Sequence, residues 1–173
     1  MGLITLITGG VRSGKSRHAL ALASGFARRA FVATAEPFDE EMRERIGRHR
    51  AVRGDAFLTV EEPCDIAGAL TRLDPGTEVA VVDCLTVWLA NLMHRQGPDQ
   101  ERYPEVDALF KALETPPCRL ILVSNEIGMG IVPENPMARR FRDLAGAVNQ
   151  QIAALADEVV LMVSGIPVTI KKR

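Results

Sequence analysis

The stretch Gly9-Gly10-Val11-Arg12-Ser13-Gly14-Lys15-Ser16 matches G-x-x-x-x-G-K-[ST], the signature of a phosphate-binding loop. A β-prone run, residues 3–8, precedes it, and residues 17–23, which are rich in good helix formers, follow it. A strand, a glycine-rich loop and a helix in this order direct backbone N–H groups and the positive end of a helix dipole toward one anion. This context favours a nucleoside-triphosphate site over a glycine-rich turn with a purely structural role.

The residue types within this loop suit phosphate binding. Gly9, Gly10 and Gly14 allow the backbone to turn inward without a Cβ clash. Lys15 can reach the β- and γ-phosphates and is the predicted catalytic lysine, while the Ser16 hydroxyl can coordinate Mg²⁺. We therefore predict that the whole loop contacts the nucleotide: Gly9, Gly10, Val11, Arg12, Ser13, Gly14, Lys15 and Ser16.

Composition restricts the class of protein. The 173 residues are 47% hydrophobic, which is typical of a single globular domain, and we expect it to span residues 1–173. A net charge of −1 gives no reason to expect a nucleic-acid partner or a membrane surface. No apolar run approaches the roughly 18 residues of a membrane span, and no secretion signal is recognised. We expect a cytoplasmic protein without stable membrane insertion.

The three cysteines, Cys64, Cys84 and Cys118, are scattered along the chain. No two of them form a C-x-x-C pair, and an odd number argues against a disulfide framework. We expect all three to be buried thiols in a reducing compartment.

Apolar β-prone runs alternate with helical patterns along the chain. Strands are predicted at 3–8, 30–33, 57–60, 78–83, 119–124, 158–163 and 166–170. Helices are predicted at 15–27, 38–50, 64–73, 84–94, 105–114 and 137–156, the last with Asn135 as N-cap and Pro136 at its first position. The alternation indicates an α/β fold with a mostly parallel sheet covered on both faces. The last two strands are too close for a crossover helix, so an antiparallel edge hairpin is predicted.

Asp83 ends an apolar strand that follows the phosphate loop in the chain. In P-loop proteins a carboxylate at this point is linked to Mg²⁺. The alternative is an aspartate that only caps the helix after it. We favour the metal-linked role, and the two roles are compatible.

His49 admits two interpretations. If 38–50 is helical, His49 shares a face with Met42 and Ile46, and a partly buried structural histidine is the commoner case. Arginines crowd the same segment: Arg43, Arg45, Arg48, Arg50 and Arg53. Arg50 and Arg53 have no acidic partner at i,i+4 spacing. A neutral imidazole beside spare guanidinium groups is therefore also a reasonable nucleophile toward phosphorus.

The run 125–136, rich in glycine and proline, follows a predicted strand at the edge where α/β sheets bind ligands. A long loop at that edge is more often functional than not. The guanine-reading N-K-x-D motif is absent here, so the preferred base does not follow from pattern. His18 and His94 are interpreted as helix-surface residues, and Trp88 as a core residue.

Taken together, these residues resemble the bifunctional adenosylcobinamide kinase/adenosylcobinamide-phosphate guanylyltransferase family of cobalamin biosynthesis. The resemblance runs nearly end to end. The most specific part combines 125–133 (NEIGMGIVP) with 142–146 (RDLAG) and 148–150 (VNQ). The other matching stretches are 8–17, 33–35, 39–42, 45–50 and 163–166.

The resemblance implies two reactions. ATP or GTP phosphorylates adenosylcobinamide, and GTP then transfers GMP to the new phosphate through a guanylylated histidine, with pyrophosphate as the second product. The position that matches this histidine is His49. Family nucleotide contacts outside the phosphate loop fall on Ala33, Thr34, Ala35, Val52, Arg53, Gly54, Asp55, Glu61 and Asp83. Ser16 and Asp83 are the implied Mg²⁺ ligands, although relatives often carry glutamate at position 83. A homotrimer and a RecA-like sheet are also implied.

Two other functions remain open at this point. An ordinary small-molecule P-loop kinase would use the same loop with a structural His49, and would form no covalent nucleotide adduct. A RecA-like nucleotide switch or DNA motor is disfavoured by the short chain, the absence of net basic charge and the lack of an obvious aromatic stacking platform.

Overall fold

The computed structural model describes residues 2–98 and 100–173, and the side chains of Arg45, His49 and Val52 lie outside that description. Its strands are β1 (Ile4–Gly9), β2 (Arg29–Ala33), β3 (Leu58–Glu61), β4 (Val79–Asp83), β5 (Arg119–Val123), β6 (Glu158–Val163) and β7 (Ile166–Lys172). Its helices are α1 (Lys15–Ala23), α2 (Glu40–Arg53), α3 (Ile66–Thr71), α4 (Leu85–Gln96), α5 (Pro104–Glu114) and α6 (Pro136–Leu155). A short 3₁₀ turn, Gly54–Ala56, follows α2.

The strands form one sheet in the order β3-β2-β4-β5-β1-β6-β7. Neighbouring strands from β3 to β6 pair in parallel, and β7 pairs antiparallel with β6 at one edge. The predicted mostly parallel α/β sheet with a C-terminal edge hairpin is therefore confirmed. The carboxyl ends of β1, β4 and β5 meet at one edge, which is where parallel sheets bind ligands.

Apolar side chains cover both faces of the sheet. On one face, Ile7, Val81 and Ile121 pack with Ala19 and Ala23 of α1. On the other face, a larger cluster joins the sheet to α3, α4, α5 and α6. Trp88 is fully buried in that cluster, as predicted, and its Nε1 donates to the Cys64 carbonyl at 2.6 Å. Within the described residues, no helix is both long and apolar enough to cross a bilayer.

Several helix ends differ from the prediction. The first helix ends at Ala23 rather than 27, because the Ser24 hydroxyl and N–H both turn back to the Ala21 carbonyl. Asp39 lies before α2 as its N-cap, with Oδ1 accepting from Met42 N at 2.7 Å. That helix continues past 50 to Arg53, where Gly54 ends it with a φ of +52°.

The start of α6 and the burial of the three cysteines were also predicted. Asn135 is the N-cap of α6, its Oδ1 accepting from Met137 N at 2.8 Å, so the predicted start is confirmed. The prediction of three buried cysteines is wrong for two of them. Cys118 is buried, whereas Cys64 and Cys84 are half-buried because they lie in loops at the edge of the core.

Gly9 is expected to be far less tolerant of a side chain than Gly10. Gly9 has a φ of +143°, and a Cβ there would lie 2.5 Å from the Met162 carbonyl oxygen of β6. A Cβ on Gly10 meets no atom of the described residues within 4 Å. We expect Gly9→Ala to lower the free energy of unfolding by at least about 2 kcal/mol. Gly10→Ala should change it by less than about 1 kcal/mol. Urea unfolding of both variants tests this, and equal losses would contradict it.

Candidate active site

The phosphate loop links β1 to α1 in the geometry that anion binding requires. Gly14 has a φ of +97° at the N-cap of α1, and Arg12 has a φ of +56°, so the loop curls above the helix. Lys15 is 7% exposed, and its Nζ donates to the Gly10 carbonyl at 2.6 Å across the loop. The ammonium group is thus held inside the ring of loop backbone, where bound phosphates are cradled.

The loop is hydrogen-bonded to two other segments. Glu126 N, just after β5, donates to the Gly9 carbonyl at 3.0 Å. Gly165 N, in the turn between β6 and β7, donates to the Ser13 carbonyl at 3.0 Å. The conformation of the loop therefore depends on residues more than a hundred positions away.

Asp83 lies at the carboxyl end of β4, between Ala33 of β2 and Val123 of β5. Its Oδ2 is buried and accepts no hydrogen bond from the described residues. The cap of α4 is instead Cys84, whose Sγ accepts from Val87 N at 3.5 Å. Because the aspartate does not cap the helix, its carboxylate is left to bind a cation or a polar group of a ligand.

A cleft that is partly open to solvent adjoins Asp83. It brings together five predicted site residues that are distant in sequence: Ala33, Ala35, Arg53, Glu61 and Asp83. From the sequence, Arg50 was recognised only as a spare cation beside His49, and the rest of the lining was missed: Phe31, Met42, Ile46, Cys84 and Val87. The predicted Gly54 and Asp55 line a neighbouring cleft that shares Arg50, Arg53 and Glu61 with it.

The arginines of α2 differ from the spare cations that the sequence suggested. Arg50 forms an ion pair with Glu61 of β3, a partner that helical spacing could not reveal. Arg53 is 7% exposed and lies over the Phe31 ring, with its Cζ 3.9 Å from the ring centroid. Burial lowers the pKa of Arg53, and the charge of Asp83 partly opposes that shift. The cleft therefore contains two cations, Arg50 and Arg53, and two anions, Glu61 and Asp83, beside the Phe31 ring.

Thr34 is fully buried between β2 and α4. Its Oγ1 donates to the Cys84 carbonyl and accepts from Cys84 N, both at 2.8 Å. The side chain thus fixes the residue that follows Asp83. Its backbone is bonded as well, because Thr34 N donates to the Asp83 carbonyl at 3.3 Å and the Thr34 carbonyl accepts from Asn91 Nδ2 at 2.8 Å.

Cys84 lines the cleft but is not a suitable nucleophile. Burial raises the pKa of its thiol to about 11. The thiol therefore stays protonated near neutral pH, and the thiolate is the reactive form. The side chains of His49 and Val52, which were predicted as nucleophile and nucleotide contact, lie outside the described residues.

The fold and the phosphate loop together define a P-loop nucleotide-binding protein with a RecA-like sheet. RadB recombinase aligns over 92% of this chain and 74% of its own, with a TM-score of 0.53 and 16% identity. A type III secretion ATPase of pathogenic bacteria aligns over 93% of this chain and 51% of its own, with a TM-score of 0.58 and 11% identity. At such identities the likeness shows the fold alone, and the predicted RecA-like sheet is confirmed.

The family follows from sequence comparison. A family model described as cobinamide kinase / cobinamide phosphate guanyltransferase matches residues 5–170. The bifunctional adenosylcobalamin biosynthesis protein CobU of Escherichia coli K12 is 42% identical over 98% of this chain and all of its own. The corresponding CobP of Pseudomonas aeruginosa is 44% identical over 96% of both chains. The chain belongs to this family of bifunctional enzymes, and the resemblance seen in its residues is confirmed.

Proposed function

We propose that this chain phosphorylates adenosylcobinamide with ATP or GTP and then transfers GMP from GTP to adenosylcobinamide phosphate. The products of the second reaction are adenosylcobinamide-GDP and pyrophosphate. The observation that carries the proposal is the buried Oδ2 of Asp83, unpartnered among the described residues, in the cleft along α2, at the sheet edge where the phosphate loop leaves β1. The family is named for both activities, and we assign them to the single domain that these residues build.

In the kinase step, the acceptor hydroxyl attacks the γ-phosphorus. Loop N–H groups and the buried ammonium of Lys15 would bind the phosphate oxygens on which negative charge develops. A rigid loop suits this role because its dipoles do not reorganise during the reaction. The hydrogen bonds from Glu126 N and Gly165 N support that rigidity.

In the guanylyl step, His49 is the proposed nucleophile. A neutral imidazole nitrogen attacks the α-phosphorus, and the bond to the pyrophosphate oxygen breaks. An oxygen of the acceptor phosphate then attacks the same phosphorus and releases the imidazole. Helical spacing puts position 49 on the face of α2 with Met42, Ile46 and Arg53, which line the cleft. A nucleophile on that face would reach a nucleotide lying between the loop and the cleft.

Mg²⁺ fits the residues present near the loop. Asp83 offers a buried carboxylate oxygen, and Ser16 lies half-buried in the first turn of α1. The part of the chain that the structure describes contains no group of three or more acidic, histidine or cysteine side chains suited to a metal. Nucleotide phosphates would therefore supply the remaining ligands, as is usual for this ion. When bound, Mg²⁺ neutralises charge on the phosphates and on the leaving group.

The remaining nucleotide contacts are proposed along the cleft. Ala33 and Ala35 would contact the nucleotide by close backbone approach, and Thr34 would support the site by holding Cys84 in place. Arg53 and Glu61 offer charged groups to the nucleoside, and the turn at Gly54 and Asp55 closes the adjoining cleft.

A homotrimer and a cytoplasmic location are also proposed. Strand β7 is an edge strand that exposes Ile166, Val168 and Ile170. Exposed apolar edge strands are commonly covered by another chain, because they otherwise promote aggregation. Under this proposal the mass in solution is three times the chain mass of 18.9 kDa.

The proposal is tested with GTP labelled at the α-phosphate. Incubation with Mg²⁺ should leave label on the denatured protein in an acid-labile, alkali-stable bond, as expected for a histidine phosphoramidate. Label at the γ-phosphate should instead move to adenosylcobinamide without forming a protein adduct. Folded, kinase-active protein that never takes up the α-label would support an ordinary P-loop kinase.

A further inference from the structure

The inner face of α6 carries two polar atoms that are buried without a hydrogen bond. Nη1 of Arg142 and Oδ1 of Asn149 both lack a partner among residues 2–98 and 100–173. Asn149 is 9% exposed, and its Nδ2 donates to the Asn125 carbonyl at 3.2 Å. Burying a guanidinium N–H without a partner is costly, so such groups normally meet an anion or a water. The pair therefore points to a polar ligand.

These atoms lie at the ligand-binding edge of the sheet. Helix α6 begins at that edge and ends near the opposite one, where Asp157 N donates to the Ile4 carbonyl at the start of β1. The contact with Asn125 puts Asn149 level with the end of β5. Arg142 is two helical turns earlier, about 10 Å further along the axis. The guanidinium therefore lies near or beyond the ends of the strands.

The same region is joined to the phosphate loop. Asn125 N donates to the Thr86 hydroxyl at 2.7 Å, and the next residue, Glu126, donates through its N–H to the Gly9 carbonyl. The hydroxyl of Thr8, one residue before Gly9, is also buried without a partner among the described residues. A series of hydrogen-bonding groups thus connects the loop to α6.

These polar groups reach the loop through β5 and α6, whereas the nucleotide cleft is lined by residues of α2, α4, β2, β3 and β4. Arg142, Asn149 and Asn125 are not among the described residues that line that cleft. A group bound by Arg142 and Asn149 therefore leaves the cleft to the nucleoside. It can meet the nucleotide phosphates at the loop, as a phosphoryl acceptor must.

We propose that Arg142 and Asn149 form a subsite for the phosphate-bearing end of the acceptor, a phosphate monoester. The inference rests on the proposed function and extends it by locating the second substrate. The Arg142 guanidinium would bind the phosphate oxygens by charge-assisted hydrogen bonds. The Asn149 Oδ1 would accept a hydrogen bond from a hydroxyl or amide N–H of the same substrate.

The connection between β5 and α6 fits the body of a large acceptor. It exposes apolar side chains at the same edge of the sheet, with Ile131 at 97% exposure and Met129 and Val132 also exposed. A monoester attached to a bulky, partly apolar body would place its phosphate on Arg142 and its body along this connection. Such a substrate would pair with the charge of Arg142 and cover the exposed apolar side chains of the connection.

The subsite acts mainly in the guanylyl step. There the acceptor is a monoester whose oxygen forms a bond to the α-phosphorus while the bond between phosphorus and the imidazole nitrogen breaks. The imidazole keeps the electron pair of the broken bond, so the step needs no further reactant. In the kinase step the acceptor enters as an alcohol and gains its phosphate only as product.

The two half-reactions separate this role from a structural one. Labelling of the enzyme by α-labelled GTP does not involve the acceptor, so Arg142→Gln should label within about threefold of the wild-type rate. In the transfer of the label, the KM for adenosylcobinamide phosphate should rise at least about tenfold, because the variant loses one charge-assisted contact with the acceptor. Arg142→Lys should have an intermediate KM for the acceptor, because lysine keeps the positive charge but cannot form the two parallel hydrogen bonds of a guanidinium group.

The matched control is Arg140→Gln on the same helix. Arg140 is exposed, and its Nη2 donates to the Gln100 carbonyl at 2.6 Å. The Arg140→Gln variant should label and transfer at the wild-type rates. Asn149→Asp should also raise the KM for adenosylcobinamide phosphate, because it places a negative charge beside the bound phosphate. This variant replaces Arg142→Gln in the test if Arg142→Gln does not fold. Far-UV circular dichroism and the mass in solution verify fold and assembly.

Three results would overturn the subsite. The first is unchanged transfer by folded Arg142→Gln, and the second is an equal slowing of labelling and transfer. The third is a change in assembly with a normal acceptor KM, which would mean that another copy of the chain is the partner of Arg142. A wild-type protein that never labels would instead overturn the proposed function, and the subsite with it.

Discussion

Replacing His49 with alanine is expected to abolish guanylyl transfer while sparing phosphorylation of adenosylcobinamide. Without the imidazole no covalent nucleotide forms, and transfer should fall at least about 1,000-fold. The kinase step uses the phosphate loop, so its kcat should stay within about threefold. The affinity for GTP should also survive, because loop and cleft contacts with the nucleotide remain. Rapid-quench labelling with α-labelled GTP, beside a γ-label kinase assay, measures both effects.

The control for His49 is His94→Ala. His94 is exposed on α4 and packs edge-to-face with Phe38, with the ring centroids 6.0 Å apart. Its removal should leave both activities intact. Normal guanylylation by His49→Ala would rule out this nucleophile. Parallel loss of kinase activity would indicate that His49 supports the fold or the common nucleotide site.

Replacing Lys15 with alanine is expected to damage both reactions. Its buried ammonium is held in the phosphate loop. We expect it to stabilise the negative charge that develops on the γ-phosphoryl group in the kinase step and on the leaving pyrophosphate in the guanylyl step. We expect kcat to fall at least about 100-fold in each reaction, with a smaller loss of nucleotide affinity. Steady-state kinetics of each reaction and nucleotide titration by calorimetry give the two quantities.

Lys111→Ala provides the comparison, since Lys111 is exposed on α5. A Lys15→Ala protein that lost one activity and kept the other would show that the two reactions use different phosphate sites. Together, the variants at 15 and 49 therefore distinguish a shared nucleotide site from two separate ones.

Much of the fold could be predicted because its signals are local. The apolar runs of β1, β4 and β5 are buried on both faces, so their pattern is continuous and easily recognised. The phosphate loop and the cap at Asn135 depend on a few adjacent residues. Helix ends were less predictable: nothing before Gly54 stops α2, whereas Ser24 stops α1 early.

The rest of the site depends on contacts between distant segments. The ion pair between Arg50 and Glu61 joins a helix to a strand. The bonds from Thr34 to Cys84 likewise join strands that are neighbours only in the sheet. Arg142 belongs to a stretch that helped to identify the family, yet its unpartnered nitrogen is visible only in three dimensions.

The hydrogen bond from Gly165 to Ser13 has a consequence for synthesis of the protein on the ribosome. The first strand lies between β5 and β6, and its loop rests on the turn into β7. A nascent chain therefore makes its phosphate loop before it makes the strands and the turn that support this loop. Fragments released early would carry the sequence motif without its supporting contacts. Nucleotide would then stabilise only chains that already include the turn at Gly165, because ligands stabilise the state that they bind.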